Sequence, residues 1–210
     1  MKGHYQALAF ATAVLALPLF AYSQNATTQN FTQADQHEAA LMKPANAVLV
    51  TNLDGVKDRS GSAVSAKLQG KVNLSNGTEL PGGTMLLGQI TDDTQQQGTR
   101  KLALRFDQAR LKNGTTVPIR ATIVGFYPST AGDTNSGVVP ANDWTASTLE
   151  FDQTGVTSGV DLHSQIGSQN SGVFVSTKKD NVKLRQGSQI QFAIAPANSS
   201  QSGMSAGGQS

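Results

Sequence analysis

The sequence predicts an all-β fold, a single antiparallel β-barrel or β-sandwich built from hairpins and flanked by polar tails. Three observations predict it. Apolar residues recur with a period of two, tight-turn pairs separate the runs, and glycine and short polar residues abound while aromatics are sparse. Such a composition suits turns and short strands better than a helical bundle.

The chain opens on a short basic segment, Met1-Lys2-Gly3-His4. An apolar run from Ala7 to Phe20 follows, then Ala21-Tyr22-Ser23. This is the pattern of a cleavable signal peptide over 1–23, with Gln24 as the new N-terminus, and it predicts a periplasmic or extracellular protein. The run is shorter than the ~20 residues a spanning helix needs, and Pro18 disturbs its end, so no stable membrane span is expected after cleavage. The chain has no cysteine, so stability must come from burial and strand pairing rather than disulfides. A formal net charge of +2 gives no broad attraction to nucleic acid or anionic lipid.

Residues 24–46 are largely Gln, Asn, Thr and Ala and bury too little to offset their ordering entropy. A flexible polar tail is expected there, with helical tendency only over Asp35–Met42. Residues 197–210 are Ser, Gly, Gln and Asn and read as a disordered tail. The β domain is therefore placed at 47–196.

Within it Val64, Ala66, Leu68, Val72 and Leu74 alternate with polar residues, as do Leu102, Leu104 and Phe106. Val117, Ile119, Ala121 and Ile123 form a third set, and Ile190, Phe192 and Ile194 a fourth. Each set predicts a strand with one buried face. Met85–Ile90 is apolar on both faces and suits a central strand, where Gly88 marks a bulge or a close backbone approach. Asn76-Gly77 and Asn113-Gly114 predict two-residue hairpin turns with positive φ at both positions. The pattern apolar-x-Leu-x-x-Gly-Thr/Ser-x-apolar recurs at 72–80, 109–117 and 182–190 and predicts three strand-turn-strand units. Residues 128–172 read as a long loop region, since Pro128–Gly137 has loop composition and Leu149–Ile166 is irregular.

No catalytic residue, metal site or cofactor is predicted. Asp161 and His163 share a strand face but lack the third and fourth ligands of a zinc site. Glu150 and Asp152 flank Phe151 and read as a solvated face rather than two acids across a cleft. Ser171 lies near His163 in sequence, with no spacing rule to make a triad of them. Pro81-Gly82-Gly83-Thr84 lacks the lysine and following helix of a phosphate loop and reads as a turn. The candidate contact residues are the aromatics Trp144, Tyr127 and Phe126, with Trp144 foremost because it stands in the long loop region.

The run Val72-Asn-Leu-Ser-Asn-Gly-Thr-Glu-Leu-Pro-Gly-Gly-Thr-Met-Leu-Leu-Gly-Gln-Ile90 resembles a hairpin in a known β-barrel. That barrel is the C-terminal domain of the conjugal-transfer scaffold in the outer-membrane core complex of type IV secretion. Arg100–Asp107, Leu111–Ile119 and Val182–Ile194 are similar to its later strands, and small exported bacterial proteins of unassigned function share these hairpins. The resemblance implies a barrel and an envelope setting, with an envelope protein or a second copy as partner. It does not extend to that family's apolar, membrane-entering helical hairpin, since Gly132–Asn170 is polar. The expected role is thus a non-enzymatic structural or binding module of a bacterial envelope. Two alternatives are a secreted hydrolase using Asp152, Asp161 and His163 within 149–171, and a glycan-binding surface module using Trp144.

Overall fold

The computed structural model describes residues 31–129, 148–157, 159–176 and 181–197. The signal peptide expected over 1–23, the C-terminal tail from 198 and part of the 128–172 region lie outside them. The elements run α1 (Gln33–Leu41), β1 (Lys43–Leu49), β2 (Leu53–Asp54), β3 (Ala63–Leu68), β4 (Val72–Asn73), β5 (Glu79–Leu80), β6 (Met85–Asp92) and β7 (Gln95–Gln96). They continue with β8 (Thr99–Arg110), β9 (Thr116–Tyr127), β10 (Glu150–Thr157), β11 (Val160–Gln165), β12 (Gly172–Ser176), β13 (Lys183–Leu184) and β14 (Gln189–Pro196).

Six strands close an antiparallel barrel in the order β8–β6–β3–β1–β14–β9 and back to β8. The period-two sets supply its interior: Val64, Ala66 and Leu68 of β3, Leu102, Leu104 and Phe106 of β8, Ile119 and Ile123 of β9, and Ile190, Phe192 and Ile194 of β14 are all buried in one cluster. Val117 packs against that cluster but is only partly buried. Phe106 and Phe192 meet edge to face at 5.1 Å across the interior, the arrangement that aligns a ring's positive edge with a negative face. Of the barrel and sandwich that the alternation allows, the structure is the barrel, in which a closed sheet turns every second residue into a single core.

Three bulges alter that alternation, one of them at Thr91 of β6, where Ile90 stands opposite Leu104 and Asp92 opposite Ala103. Leu87 stands opposite Gln108 and Gly88 opposite Phe106, which leaves Asp107 of β8 without an opposite residue. A Cβ on Gly88 would lie 2.1 Å from the Arg105 carbonyl oxygen, so the close approach expected at this glycine is present. On β9, Gln191 faces Gly125 and Phe192 faces Ile123, so Val124 is the extra residue. An extra residue reverses which face the following side chains occupy.

Several local expectations are corrected. The Asn-Gly turns are three-residue, not two-residue, loops: Leu74 N–H donates to Thr78 O (2.9 Å) and Gly77 N–H to Leu74 O (3.0 Å), with the same pair of bonds at Leu111, Gly114 and Thr115. Only the glycines take positive φ, while Asn76 and Asn113 each accept the N–H two residues on at 3.0 Å. The primed-type two-residue turn is instead Gln97-Gly98, with φ of 50° and 84°, joining β7 to β8. The third strand-turn-strand unit, 182–190, is no hairpin, because β13 pairs with β2 while β14 pairs with β1 and β9.

That segment matches a different one. At Leu80-Pro81-Gly82-Gly83-Thr84 the Gly83 N–H donates to Leu68 O (2.8 Å) and Leu68 N–H to Thr84 O (2.9 Å). At Leu184-Arg185-Gln186-Gly187-Ser188 the Gly187 N–H donates to Leu49 O and Leu49 N–H to Ser188 O, both at 2.8 Å. Gly83 and Gly187 share φ of +87°. Each corner carries a leucine of a two-stranded ladder into the core and launches a barrel strand, so β1–β2 with β13–β14 repeats the arrangement of β3–β4 with β5–β6.

The polar segment expected as a tail over 24–46 is, in its described part, ordered structure. Thr32 and Asp35 form a capping box, with Thr32 Oγ1 accepting from Asp35 N–H and Asp35 Oδ2 accepting from Thr32 N–H. The helix lays Ala39 over the outer face of β14 at Ala193 and Ala195, where small side chains permit close approach. The region read as loop likewise contains β10 and β11, an antiparallel hairpin that joins β12 and through it β8.

Candidate functional site

The site lies where the barrel's ladder breaks. β8 is long enough to take two neighbours on one edge: Lys101–Leu104 pair with β12, and Gln108–Arg110 pair with β9. Between them, at Arg105–Asp107, neither strand is in register. Ser171, just before β12 and wholly buried, spans the gap. Its N–H donates to Leu104 O and its carbonyl accepts Ile123 N–H, both at 2.7 Å, while its Oγ accepts Phe106 N–H at 2.9 Å. Two further side chains stand in for missing strand partners along β9. Gln153 accepts Phe126 N–H through Oε1 (2.8 Å) and donates to Phe126 O through Nε2 (2.9 Å), and Ser164 Oγ donates to Ile123 O. Buried backbone groups need partners, and at this seam polar side chains supply them.

Outside this seam is a cavity of about 230 Å³ between α1, β8, β9 and the β11–β12 connection. Glu38 and Met42 of α1 close one side, Arg105 and Asp107 of β8 another, Arg120 of β9 a third, with Ser168 at the rim. Glu38 and Arg120 form an ion pair of 2.9 Å in which the Glu38 side chain is only 9% exposed. Burial pushes the Glu38 carboxyl above its ordinary value, and the Arg120 charge offsets this only in part. Glu38 Oε1 is buried and has no hydrogen-bond partner among the described residues. Arg105 Nε is buried as well. Asp107 Oδ2 lies 3.2 Å from it, close enough for an ion pair but off the direction of the N–H bond, so the donor is unused.

The sequence-predicted contact residues are placed as follows. Phe126 is fully buried and meets Phe174 edge to face at 5.2 Å. Strict alternation from Ile119, Ala121 and Ile123 turns Phe126 outward, but the extra residue Val124 turns it into the core, so its ring is not a surface contact. Gly125 was the available signal: a Cβ there would lie 2.9 Å from Gln191 Oε1. Tyr127 is half-buried at the end of β9, its hydroxyl 3.4 Å from Gln191 Oε1. Trp144 lies outside the described residues. Asp152 and His163 are cross-strand neighbours, Oδ1 to Nδ1 2.7 Å, both largely exposed. Asp161 turns aside to accept Gly155 N–H at 2.7 Å.

Sequence reading missed Glu38, Arg105, Asp107 and Arg120 as a group, since they come from a supposed tail and two separate strands. Among the described residues no grouping of three or more metal-ligating acidic, histidine or cysteine side chains occurs, and no helix is long and apolar enough to cross a membrane. No family model matches the chain, and no curated protein matches it.

Proposed function

We propose that this chain is an exported structural or binding module of a bacterial cell envelope, akin to the barrel of type IV secretion scaffolds, that works by holding a partner rather than by catalysis. The observation that carries this reading is the preformed cavity at the barrel seam. It is concave, charged, and built on strands whose inward positions are committed to packing, the arrangement in which a rigid scaffold presents a recognition surface. The envelope setting rests on the signal-peptide pattern over 1–23 and on the resemblance of the Val72–Ile90 hairpin. The test is osmotic-shock fractionation of expressing cells with intact-mass analysis, followed by in-cell crosslinking from a photoreactive residue at Ser168. A periplasmic product beginning at Gln24 and a discrete adduct to an envelope protein or a second copy are expected. Full-length chain held in the cytoplasm or inner membrane would refute the export reading.

A second reading is favoured by one contact. The Asp152 carboxylate 2.7 Å from His163 Nδ1 has the form of the orienting half of a nucleophilic triad, in which such a carboxylate fixes the imidazole tautomer and leaves Nε2 to act as a base. A hydrolase using it loses about 10²–10⁴ in rate in His163→Ala with an unchanged melting curve. Equal activity of that variant and the parent against ester and peptide substrates removes this reading.

A further inference from the structure

We propose that the outer face of β3, β6 and β8, at the Gly83 corner, is a docking surface for a bilayer that carries acidic phospholipid headgroups. The inference goes beyond the partner reading of the cavity and does not depend on it.

The argument begins with three cations that the fold gathers and leaves unpaired. Register places Lys67 of β3 beside Met85 of β6, and Met85 beside Arg110 of β8, so the three stand in one row across the barrel wall. Their neighbours along each strand, Ala66, Leu86 and Ala109, belong to the core, which turns the row outward. Lys112 reaches the same place from the β8–β9 loop. A Cβ on Gly83 would lie 2.9 Å from Lys112 Cε and 3.7 Å from Lys67 Cε, so both lysine stems cross the bare glycine. The Pro81-Gly82-Gly83-Thr84 corner, which lacks a lysine in sequence, thus receives two in space. Lys67, Arg110 and Lys112 are exposed, and none has a carboxylate within ion-pair distance among the described residues. On the same β8, Lys101 and Arg105 do have acids beside them, Asp92 and Asp107. Like charges held together without a counter-charge repel, and an anionic surface relieves that repulsion.

The side chains among the cations choose the partner. Met85 and Leu87 of β6 lie on the outer face and are only half-buried, as is Val48 of β1, which stands opposite Lys67. Val50, just beyond Val48 on the same side, is exposed. Aliphatic side chains between unpaired cations match a membrane interface, where headgroup phosphates lie above acyl chains. A single-stranded nucleic acid is held through aromatic rings that stack on its bases, and none stands among these residues. The chain's net charge of +2 exerts no broad pull on a bilayer, so the attraction is local to this patch.

Sedimentation with vesicles tests this, using the chain from Gln24 onward. That chain keeps every described residue and omits the apolar run 7–20, whose own insertion would hide a surface contact. Vesicles of phosphatidylglycerol and phosphatidylcholine in equal parts should carry the protein down at low salt, and vesicles of phosphatidylcholine alone should not. Roughly 0.5 M salt should release it, since screening weakens attraction at an exposed surface. Lys67→Gln, Arg110→Gln and Lys112→Gln should each lower the partition coefficient about fivefold, the factor one basic residue is worth beside an acidic bilayer. Arg59→Gln makes the same change in net charge, but Arg59 lies beside Asp93, just past the far end of β6 from Met85, and should leave binding as it is. The proposal is overturned if the two kinds of vesicle carry the protein equally or not at all, or if Arg59→Gln weakens binding as much as the other three. It is overturned also if an oligonucleotide is captured through these residues while the vesicles are not. The comparison of vesicles needs no variant and decides the matter should one not fold. Fractionation can refute export while the vesicles still bind, and the reverse, so the two readings fail separately.

Discussion

Replacing Ser171 with alanine removes one oxygen and little packing volume, which makes it the cleanest probe of the seam. The backbone bonds of Ser171 to Leu104 and Ile123 survive, since they use its N–H and carbonyl. What is lost is the acceptor for Phe106 N–H, a backbone donor of a buried residue of β8. Leaving a buried donor unmet costs about 1–3 kcal/mol. For a domain of this size each kcal/mol lowers the melting temperature by about 2–4 °C, so a drop of about 2–12 °C is expected. Ser168→Ala, which loses only an exposed bond to Asn170 N–H, should change stability by less than about 0.5 kcal/mol. Circular-dichroism melts of both variants, with hydrogen exchange of the Phe106 amide, make the comparison. Should Ser171→Ala melt within 1 °C of the parent, by rough scale the width of the control, with the Phe106 amide still protected, another group holds that amide and the seam is not built as described.

Three other outcomes follow from the same geometry. Gly88→Ala places a Cβ 2.1 Å from the Arg105 carbonyl; overpacking of this kind costs about 1–3 kcal/mol or more, read as a lower denaturant midpoint, and an unchanged midpoint removes the close approach. Gln97→Gly relieves a non-glycine residue at φ 50° and should add up to about 1 kcal/mol, whereas a loss shows that the Gln97-Gly98 turn differs from this geometry. For Glu38, whose folded carboxyl is raised above 4.5 chiefly by burial, the neutral form is favoured in the native state. Stability from this group is therefore complete below the unfolded value and falls as pH rises through the folded one. Glu38→Gln should thus melt with the parent near pH 4 and above it by pH 8; a variant that instead falls below the parent as pH rises means that the Arg120 pair outweighs burial.

The fold was legible wherever period two ran unbroken. Val64–Leu68, Leu102–Phe106 and Ile190–Ile194 face inward as their alternation predicts, because a closed barrel imposes one buried face on each strand. Legibility failed at the bulges, where one extra residue reverses parity: Phe126 looks like a surface aromatic only while Val124 is counted as a paired residue. For α1 the sequence showed only the helical tendency over Asp35–Met42, because its nine residues are too few and too polar to signal a helix by periodicity. Its evidence was the Thr32–Asp35 cap and the outward alanines of β14, and the second of these becomes visible only once the sheet is assembled. The β10–β11 hairpin hid for a related reason. Much of its outer face is exposed and its glycine bulge at Gly155 interrupts the alternation, so its sequence carries little apolar signal. The cavity charges were unreadable as a set because Glu38, Arg105 and Arg120 meet only through tertiary packing.

The position of the cavity follows from how the barrel closes. On the side built by the two matching corners, strand edges are met by strand edges: β1 pairs with both β3 and β14, and β3 with both β1 and β6. Backbone satisfies backbone there, and the side chains are left to pack. On the opposite side β8 must serve β12 and β9 in turn, and the change of partner at Arg105–Asp107 leaves a stretch that no strand can fill. Chain continuity then demands polar side chains at fixed places, and Ser171, Ser164 and Gln153 occupy them. The same divergence opens the space beneath α1. It also explains why charged residues lie there on β8 and β9: Arg105, Asp107 and Arg120 face the gap between strands rather than the core. A barrel without that change of partner would close its ladder from end to end and have no cavity to offer. The irregularity that costs the ladder its register is therefore what gives the fold a recessed, charged surface, and it is at such breaks, not along the regular strands, that a rigid β scaffold has side chains to spare for a ligand.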